Sequence, residues 1–427
     1  MRRSVVAIFL CFVVQVAWGD LKIEITEGIS GAVPVAIVPF GTGGGTEPSE
    51  DVAAVIAADL ARSGRFAPID RNDMIQMPTS GQGIRFGDWR ILETEAILVG
   101  KVLREASGYV IQFQLYDVYR GAQLLSYRIS SAENDLRRAA HQVSDMVYEA
   151  LTGERGAFAT RIAYVSATGK GEQQRFRVVV ADADGENPIV IANSRDPLMS
   201  PAWSPDGRQL AYVSFENERS EIYIQTLATG ERQLAGSWPG VNGAPAFSPD
   251  GRRLALTLSR GTGNLDIFVL NLVSGRLTQV TWHAAIDTEP EWAPDGRRLY
   301  FTSDRGGGPQ VYEIELGSDK AARRTFEGNY NARPRISRDG KSLATVFEDR
   351  GNYRVALLEL DSGNLQVLTN GQLDESPSFA PNGSMIIYAS EAGGRGILAA
   401  VSADGRYRQR LTATEGDIRE PAWSPFL

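Results

Sequence analysis

The sequence predicts two domains, a small mixed α/β domain followed by a six-bladed β-propeller closed by pairing of C-terminal and N-proximal strands. Three observations carry this. First, an apolar motif position recurs at Trp203, Phe247, Trp292, Ile336, Phe379 and Trp423, in steps of 44, 45, 44, 43 and 44 residues. Second, each unit holds four strand-like runs, as in "APAFS", "RLALTLS", "LDIFVLNL" and "RLTQVT", divided by turn residues such as Asp250-Gly251. Asp-Gly between apolar runs marks a hairpin, because the turn needs φ > 0 and Gly has no Cβ to clash. Four antiparallel strands repeated at this period are the signature of propeller blades. Third, the last copy, "EPAWSPFL", stops at its turn, while "RIAYVS" (161–166) matches the second strand of a unit and lacks the first. The two halves are expected to pair, with 421–425 as the inner strand, which closes the ring and removes two free edges. The unit at Ile336 has Arg338 where the others have Pro, and is expected to be the loosest blade.

Residues 33–153 read differently. "VPVAIVPF" is a buried-type strand, followed by a Gly-rich loop and a helix from Pro48 to Ser63 with Val52, Val55, Ile56 and Leu60 on one face. Three strands follow, "AILVGKV", "GYVIQFQLYDV" and "AQLLSYRIS". A last helix places Leu136, Ala139, Ala140, Val143, Met146, Val147, Ala150 and Leu151 on one stripe. The order βαβ(α)βββα indicates a mixed α/β domain. Residues 154–160 link it to the propeller at 161–427.

The first residues point to export. Arg2 and Arg3 precede an apolar run ending in Ala17-Trp18-Gly19, so 1–19 reads as a signal peptide cut between Gly19 and Asp20. Cys11 is the only Cys, so the mature chain has no thiol and stands on packing alone. Cleavage takes the net charge from −8 to about −10. An acidic chain without a Lys/Arg run is a poor ligand for nucleic acid and for anionic lipid. Residues 20–32 form a separate stretch, in which Leu21, Ile23 and Ile25 alternate with polar residues. This reads equally as an ordinary edge strand or as a detachable strand offered to a partner sheet.

No catalytic pattern emerges. The loop at 41–46 fails G-x-G-x-x-G at Thr46, and Glu50 would open the helix with an acid where an anion should sit. G-x-S-x-G is absent. The two His residues are far apart: His141 falls off its helix stripe and is expected on a solvated flank, and His283 lies in a loop between blades. No cofactor is expected; a channel Ca²⁺ is the one metal that acid pairs such as Asp374-Glu375 would suit. What remains is surface. The residues entering each inner strand should ring the channel mouth and bind a polar protein partner: Met199, Ser200, Asn242, Ala244, Asp287, Thr288, Glu289, Arg333, Asp374, Glu375, Arg419 and Glu420. The rival reading is an exported propeller enzyme, a lyase or hydrolase working at that mouth.

"PLMSPAWSPDG", "NGAPAFSPDG", "TRIAYVS", "LDESPSFAPNG" and the terminal "PAWSPFL" resemble the TolB family, the periplasmic component of the Tol-Pal system, over the whole mature chain. The resemblance implies a periplasmic, non-enzymatic scaffold, expected to be monomeric. Its mouth would bind the peptidoglycan-associated lipoprotein, with the family's contact loops falling on Asn242, Ala244, Thr288 and Glu289. Its strand at 20–30 would bind TolA. Val241 stands where family members often have His. The implied role is outer-membrane integrity and constriction during cell division. If the N-terminal strand docks on its own protein, its release would couple the two partners.

Overall fold

The structure, a computed structural model, describes residues 21–27, 31–45, 47–260, 263–413 and 416–427. The expected cleavage site at Gly19 and Asp20 lies outside these residues. No described helix is long and apolar enough to cross a membrane.

The N-terminal domain is a five-stranded sheet with strand order Phe66–Pro68, Val33–Ile37, Ala96–Glu105, Gly108–Asp117, Ala122–Ser131. The strand at 33–37 is parallel to its two neighbours and the rest of the sheet is antiparallel. Alternation along the strands serves two faces. Leu98, Ile111, Phe113 and Leu115 pack under helix α1 (Val52–Arg62) and helix α3 (Leu136–Thr152). Ile97 and Val99 pack on the other face with Trp89 from the short helix α2 (Phe86–Ile91). The order is the expected βαβ(α)βββα. The start of α1 is corrected, from Pro48 to Val52: Asp51 is the cap, its carboxylate accepting the Ala54 N–H at 3.0 Å. Such a cap stabilises a helix by about 1 kcal/mol. At the other end of α3, Gly153 takes φ +76° and its N–H returns to the Glu149 carbonyl.

Residues 161–427 form six antiparallel blades. Blade 1 pairs Asp417–Trp423 with Arg161–Thr168, in the register Trp423↔Ile162 and Ala422↔Ala163, and continues through Arg175–Asp182 and Ile189–Ser194. The ring is therefore closed by the two halves that the sequence divides. Blades 2 to 5 are contiguous, starting at Leu198, Asn242, Asp287 and Asn331, and blade 6 starts at Glu375. The repeated motif has two structural uses. Its Ser-Pro-Asp-Gly stretch is the turn after the inner strand: Ser204 Oγ donates to Asp206 Oδ1 at 2.6 Å, and Gly207 takes φ +68°. Its Trp stitches neighbouring blades, since Trp203 Nε1 donates to the Ala422 carbonyl (2.9 Å) and Trp292 Nε1 to the Ala246 carbonyl (3.0 Å). Trp423 Nε1 reaches Thr160 Oγ1 at 2.8 Å, tying the last strand to the linker.

Ile336 in blade 5 has no N–H to stitch with. The expected looseness is nonetheless not visible in the pairing, because that blade's central hairpin is paired over eight residues, from Ser342 to Asp349, against six in blades 2 to 4. Arg338, in place of Pro, lies over the Phe426 ring, whose other neighbour is Arg155 of the linker at 3.9 Å.

The N-terminal strand, Leu21–Glu27, is the fifth and outermost strand of blade 6, antiparallel to Arg408–Ala413, with Ile23 opposite Leu411 and Ile25 opposite Gln409. Glu24, Ile25 and Thr26 are exposed. Of the two readings the sequence left open, the strand occupies an edge of its own protein.

Candidate functional site: the propeller mouth

Each inner strand carries the same irregularity. Ser200, Ala244, Glu289, Arg333, Ser376 and Glu420 all have positive φ, between +46° and +55°, and each is followed by a proline. Each sits in a bulge where the register with the second strand shifts, as between Met199 and Ala202 or between Thr288 and Glu291. A left-handed non-Gly residue is strained by about 1 to 3 kcal/mol, and such residues collect at functional sites. Here six of them, one per blade, point their backbone into one cavity of about 410 Å³. Its upper tier is these six residues, and Trp203, Phe247 and Trp423 line it further in.

The tier is held by a hydrogen-bond belt. Arg333 Nε donates to Glu289 Oε1 at 2.6 Å and Arg333 N to Glu289 Oε2 at 3.0 Å; Thr302 Oγ1 donates to the same oxygen at 3.0 Å. The Arg333 guanidinium continues to Ser376 Oγ of blade 6, and Ser200 N donates to the Glu420 carboxylate of blade 1. Burial works against charge on Arg333, but the carboxylates of Glu289, Glu420 and Glu375 outweigh it and raise its pKa. Deeper in the channel, burial pushes the Glu291 carboxyl above the usual range, with Arg335 opposing.

The expected mouth residues divide into two groups. Ser200, Ala244, Thr288, Glu289, Arg333, Glu375 and Glu420 are half-buried at the mouth, and Met199 and Arg419 are exposed there. Asn242, Asp287 and Asp374 are corrected: they are 1%, 0% and 1% exposed and hold the rim loops from beneath. Asn242 Oδ1 accepts the Trp238 N–H at 2.9 Å, and its Nδ2 donates to the Trp238 carbonyl at 2.7 Å. Asp287 accepts Arg305 Nη2 on both oxygens, at 2.8 and 2.7 Å. Asp374 accepts the Gly371 N–H at 3.0 Å and the Ser390 hydroxyl at 2.6 Å. Their polarity is spent inside the fold.

What the sequence reading missed is the apolar rim above them. Val241 (50% exposed), Trp282 (75%), Ile286, Phe326 (73%) and Leu373 all lie on loops leading from an outer strand to the next inner strand. A signal existed, in lone large apolar residues set among Gly and polar residues in the loops before four of the six inner strands, those starting at Asn242, Asp287, Asn331 and Glu375. Apolar side chains exposed together beside a polar cavity mark an interaction surface. His283, also on this rim, accepts the Ala285 N–H on Nδ1 at 3.0 Å.

Comparison with known proteins decides the family. Residues 148–427 match the profile described as the TolB β-propeller domain, and residues 21–124 match the TolB amino-terminal domain. The chain belongs to the TolB family. Relatives named Tol-Pal system protein TolB, from Xanthomonas oryzae pv. oryzae and Xanthomonas euvesicatoria pv. vesicatoria, are 50% identical over 410 residues, covering 95% of this chain and 93% of theirs. The crystal structure of TolB from Acinetobacter baumannii superposes with a TM-score of 0.89 at 40% identity, covering 95% of this chain and all of that one. Like these relatives, which bear the name of a Tol-Pal protein, this TolB-family chain is not an enzyme.

Proposed function

We propose that the chain is a periplasmic protein-binding scaffold of the Tol-Pal system that receives the soluble domain of the peptidoglycan-associated lipoprotein at the propeller mouth. The observation that carries this is the mouth itself: six strained left-handed residues in register around one polar cavity, below an exposed apolar rim. A rigid, pre-shaped polar cavity with apolar anchors at its edge suits a protein loop inserted from above, because little order is lost on binding. The Tol-Pal name of the relatives supports the same reading. In this reading TolA takes the strand at 20–30, which must first leave the edge of blade 6, and the two contacts together serve outer-membrane integrity and constriction during division.

The test is calorimetric titration of the mature chain with the lipoprotein's soluble domain. Val241→Glu, on the rim, is expected to weaken binding by about 2 kcal/mol or more, a hot-spot-sized loss. Val273→Glu, 83% exposed in the turn after the third strand of blade 3, is expected to leave it unchanged. Equal affinity for both variants would move the site off the mouth, and no binding by the unmodified chain would overturn the choice of partner.

A further inference from the structure

The one histidine of helix α3 is buried, not solvated as the helix stripe suggested. His141 is 1% exposed and lies where the two domains meet. Its two ring nitrogens face two carboxylates from different domains. Nδ1 is 2.7 Å from Asp59 Oδ2, on α1. Nε2 is 3.5 Å from Asp184 Oδ2, in the turn between strands 175–182 and 189–194 of blade 1. An ionised carboxylate only accepts hydrogen bonds. A neutral imidazole has a single N–H, so it would turn a lone pair toward one of the two carboxylates; the imidazolium alone turns an N–H toward both, in a hydrogen bond at Nδ1 and a longer ion-pair contact at Nε2.

A metal ion does not answer this geometry. An imidazole holds an ion through one nitrogen, and these carboxylates flank opposite nitrogens. Both are also already engaged by guanidinium groups: Arg62 Nε donates to Asp59 Oδ1 at 3.0 Å, and Arg137 Nη2 to Asp184 Oδ2 at 2.6 Å. We infer that His141 is held as an imidazolium that latches the N-terminal domain to the propeller, so that the joint loosens when the ring loses its proton. This goes beyond the partner-binding reading and does not depend on it.

The surrounding charges agree. From α1 the ring is faced by Asp59 and Arg62, from its own helix by Arg137 and Asp145, and from blade 1 by Asp182 and Asp184. Four carboxyl groups against two guanidiniums leave room for a third positive charge. Burial opposes a charged ring, but Asp59 and Asp184 outweigh it and raise the His141 pKa; burial likewise opposes charge on Asp59 and Asp184, yet their cationic neighbours hold both below the usual carboxylate range. For a base whose folded pKa is raised, the stabilisation is complete below its unfolded value of about 6.5 and is lost as pH rises through the folded value. Asp145 titrates in a separate window. Burial pushes it up to about 6, against hydrogen bonds from the Phe158 and Ala159 N–H groups, so the cost of ionising it builds as pH rises toward that value and stays constant above it. Burial raises the Asp182 carboxyl as well, so the cost of ionising it also builds as pH rises out of the usual carboxylate range. Loosening that follows the loss of the ring proton is assigned to His141.

The experiment uses the full mature chain with His283→Gln, which leaves one histidine. Nitrogen-15 NMR of the imidazole is expected to show both ring nitrogens protonated at pH 7.5. As the pH is raised toward 9, loss of that signal should coincide with a several-fold faster tryptic cut at Arg155 in the linker, measured relative to a free peptide of the linker sequence. His141→Gln is expected to cut fast at every pH. A neutral tautomer at pH 7.5, or a relative cutting rate that stays flat while the ring deprotonates, would overturn the inference. Should His141→Gln fail to fold, the titration of the chain retaining His141 decides alone.

Discussion

Among single residues, the left-handed position before each inner-strand proline carries the clearest energetic signature. Ala244 pays for φ +46° without making a side-chain hydrogen bond in return. Replacing it by Gly removes the Cβ penalty at the cost of a freer unfolded chain, so Ala244→Gly is expected to leave the melting temperature unchanged or slightly raised. Ala244→Val puts a β-branched side chain in the same conformation and is expected to cost about 1 to 3 kcal/mol in urea unfolding. Two equally stable variants would show that the bulge relaxes and is not strained. The residue scale is also where the sequence was hardest to read. Asn242, Asp287 and Asp374 look like mouth contacts because nothing in the sequence marks their partners: Trp238 on the same loop, Arg305 on the loop after the second strand of blade 4, and Ser390 in the second strand of blade 6. His141 misled for a related reason: its helix is covered by the sheet on one side and by the propeller on another, so two faces are buried while a single stripe is apolar.

Among elements, two strands join sheets from opposite ends of the chain, with different consequences. Asp417–Trp423 is the innermost strand of blade 1 and closes the ring; Leu21–Glu27 is added outside a blade that is already four strands wide. Deleting 420–427 removes the Trp423 bond to Thr160 and opens two edges, and is expected to abolish the cooperative melting transition or lower it by many degrees. Deleting 20–27 is expected to shift it little. The reverse order of effects by calorimetry would contradict this assignment of the strands. The closure was legible in the sequence because both halves of one motif survive at separate ends. The destination of Leu21–Glu27 was not, since an alternating strand fits any sheet edge, and Arg408–Ala413 carries no mark that it has a free side.

In the whole molecule, one face of the ring is open to a partner, and the N-terminal domain meets the propeller at another region, through His141, Asp184 and the linker. The fold followed from the repeat period, the α/β order and the aromatic spacing, all of which are local or periodic properties. The working surface followed only in part. The ring of Ser200, Ala244, Glu289, Arg333 and Glu420 was expected from its place before each inner strand, whereas the apolar rim of Val241, Trp282 and Phe326 depends on loop conformations that no periodicity encodes. The most direct measurement is amide hydrogen exchange of the mature chain with and without the lipoprotein's soluble domain. Protection gathered in 238–244, 282–290, 326–333 and 369–376 is the expected result. Protection gathered instead in the Pro-Asp-Gly turns at 205–207, 249–251 and 294–296, on the far end of the blades, would contradict the mouth as the binding site.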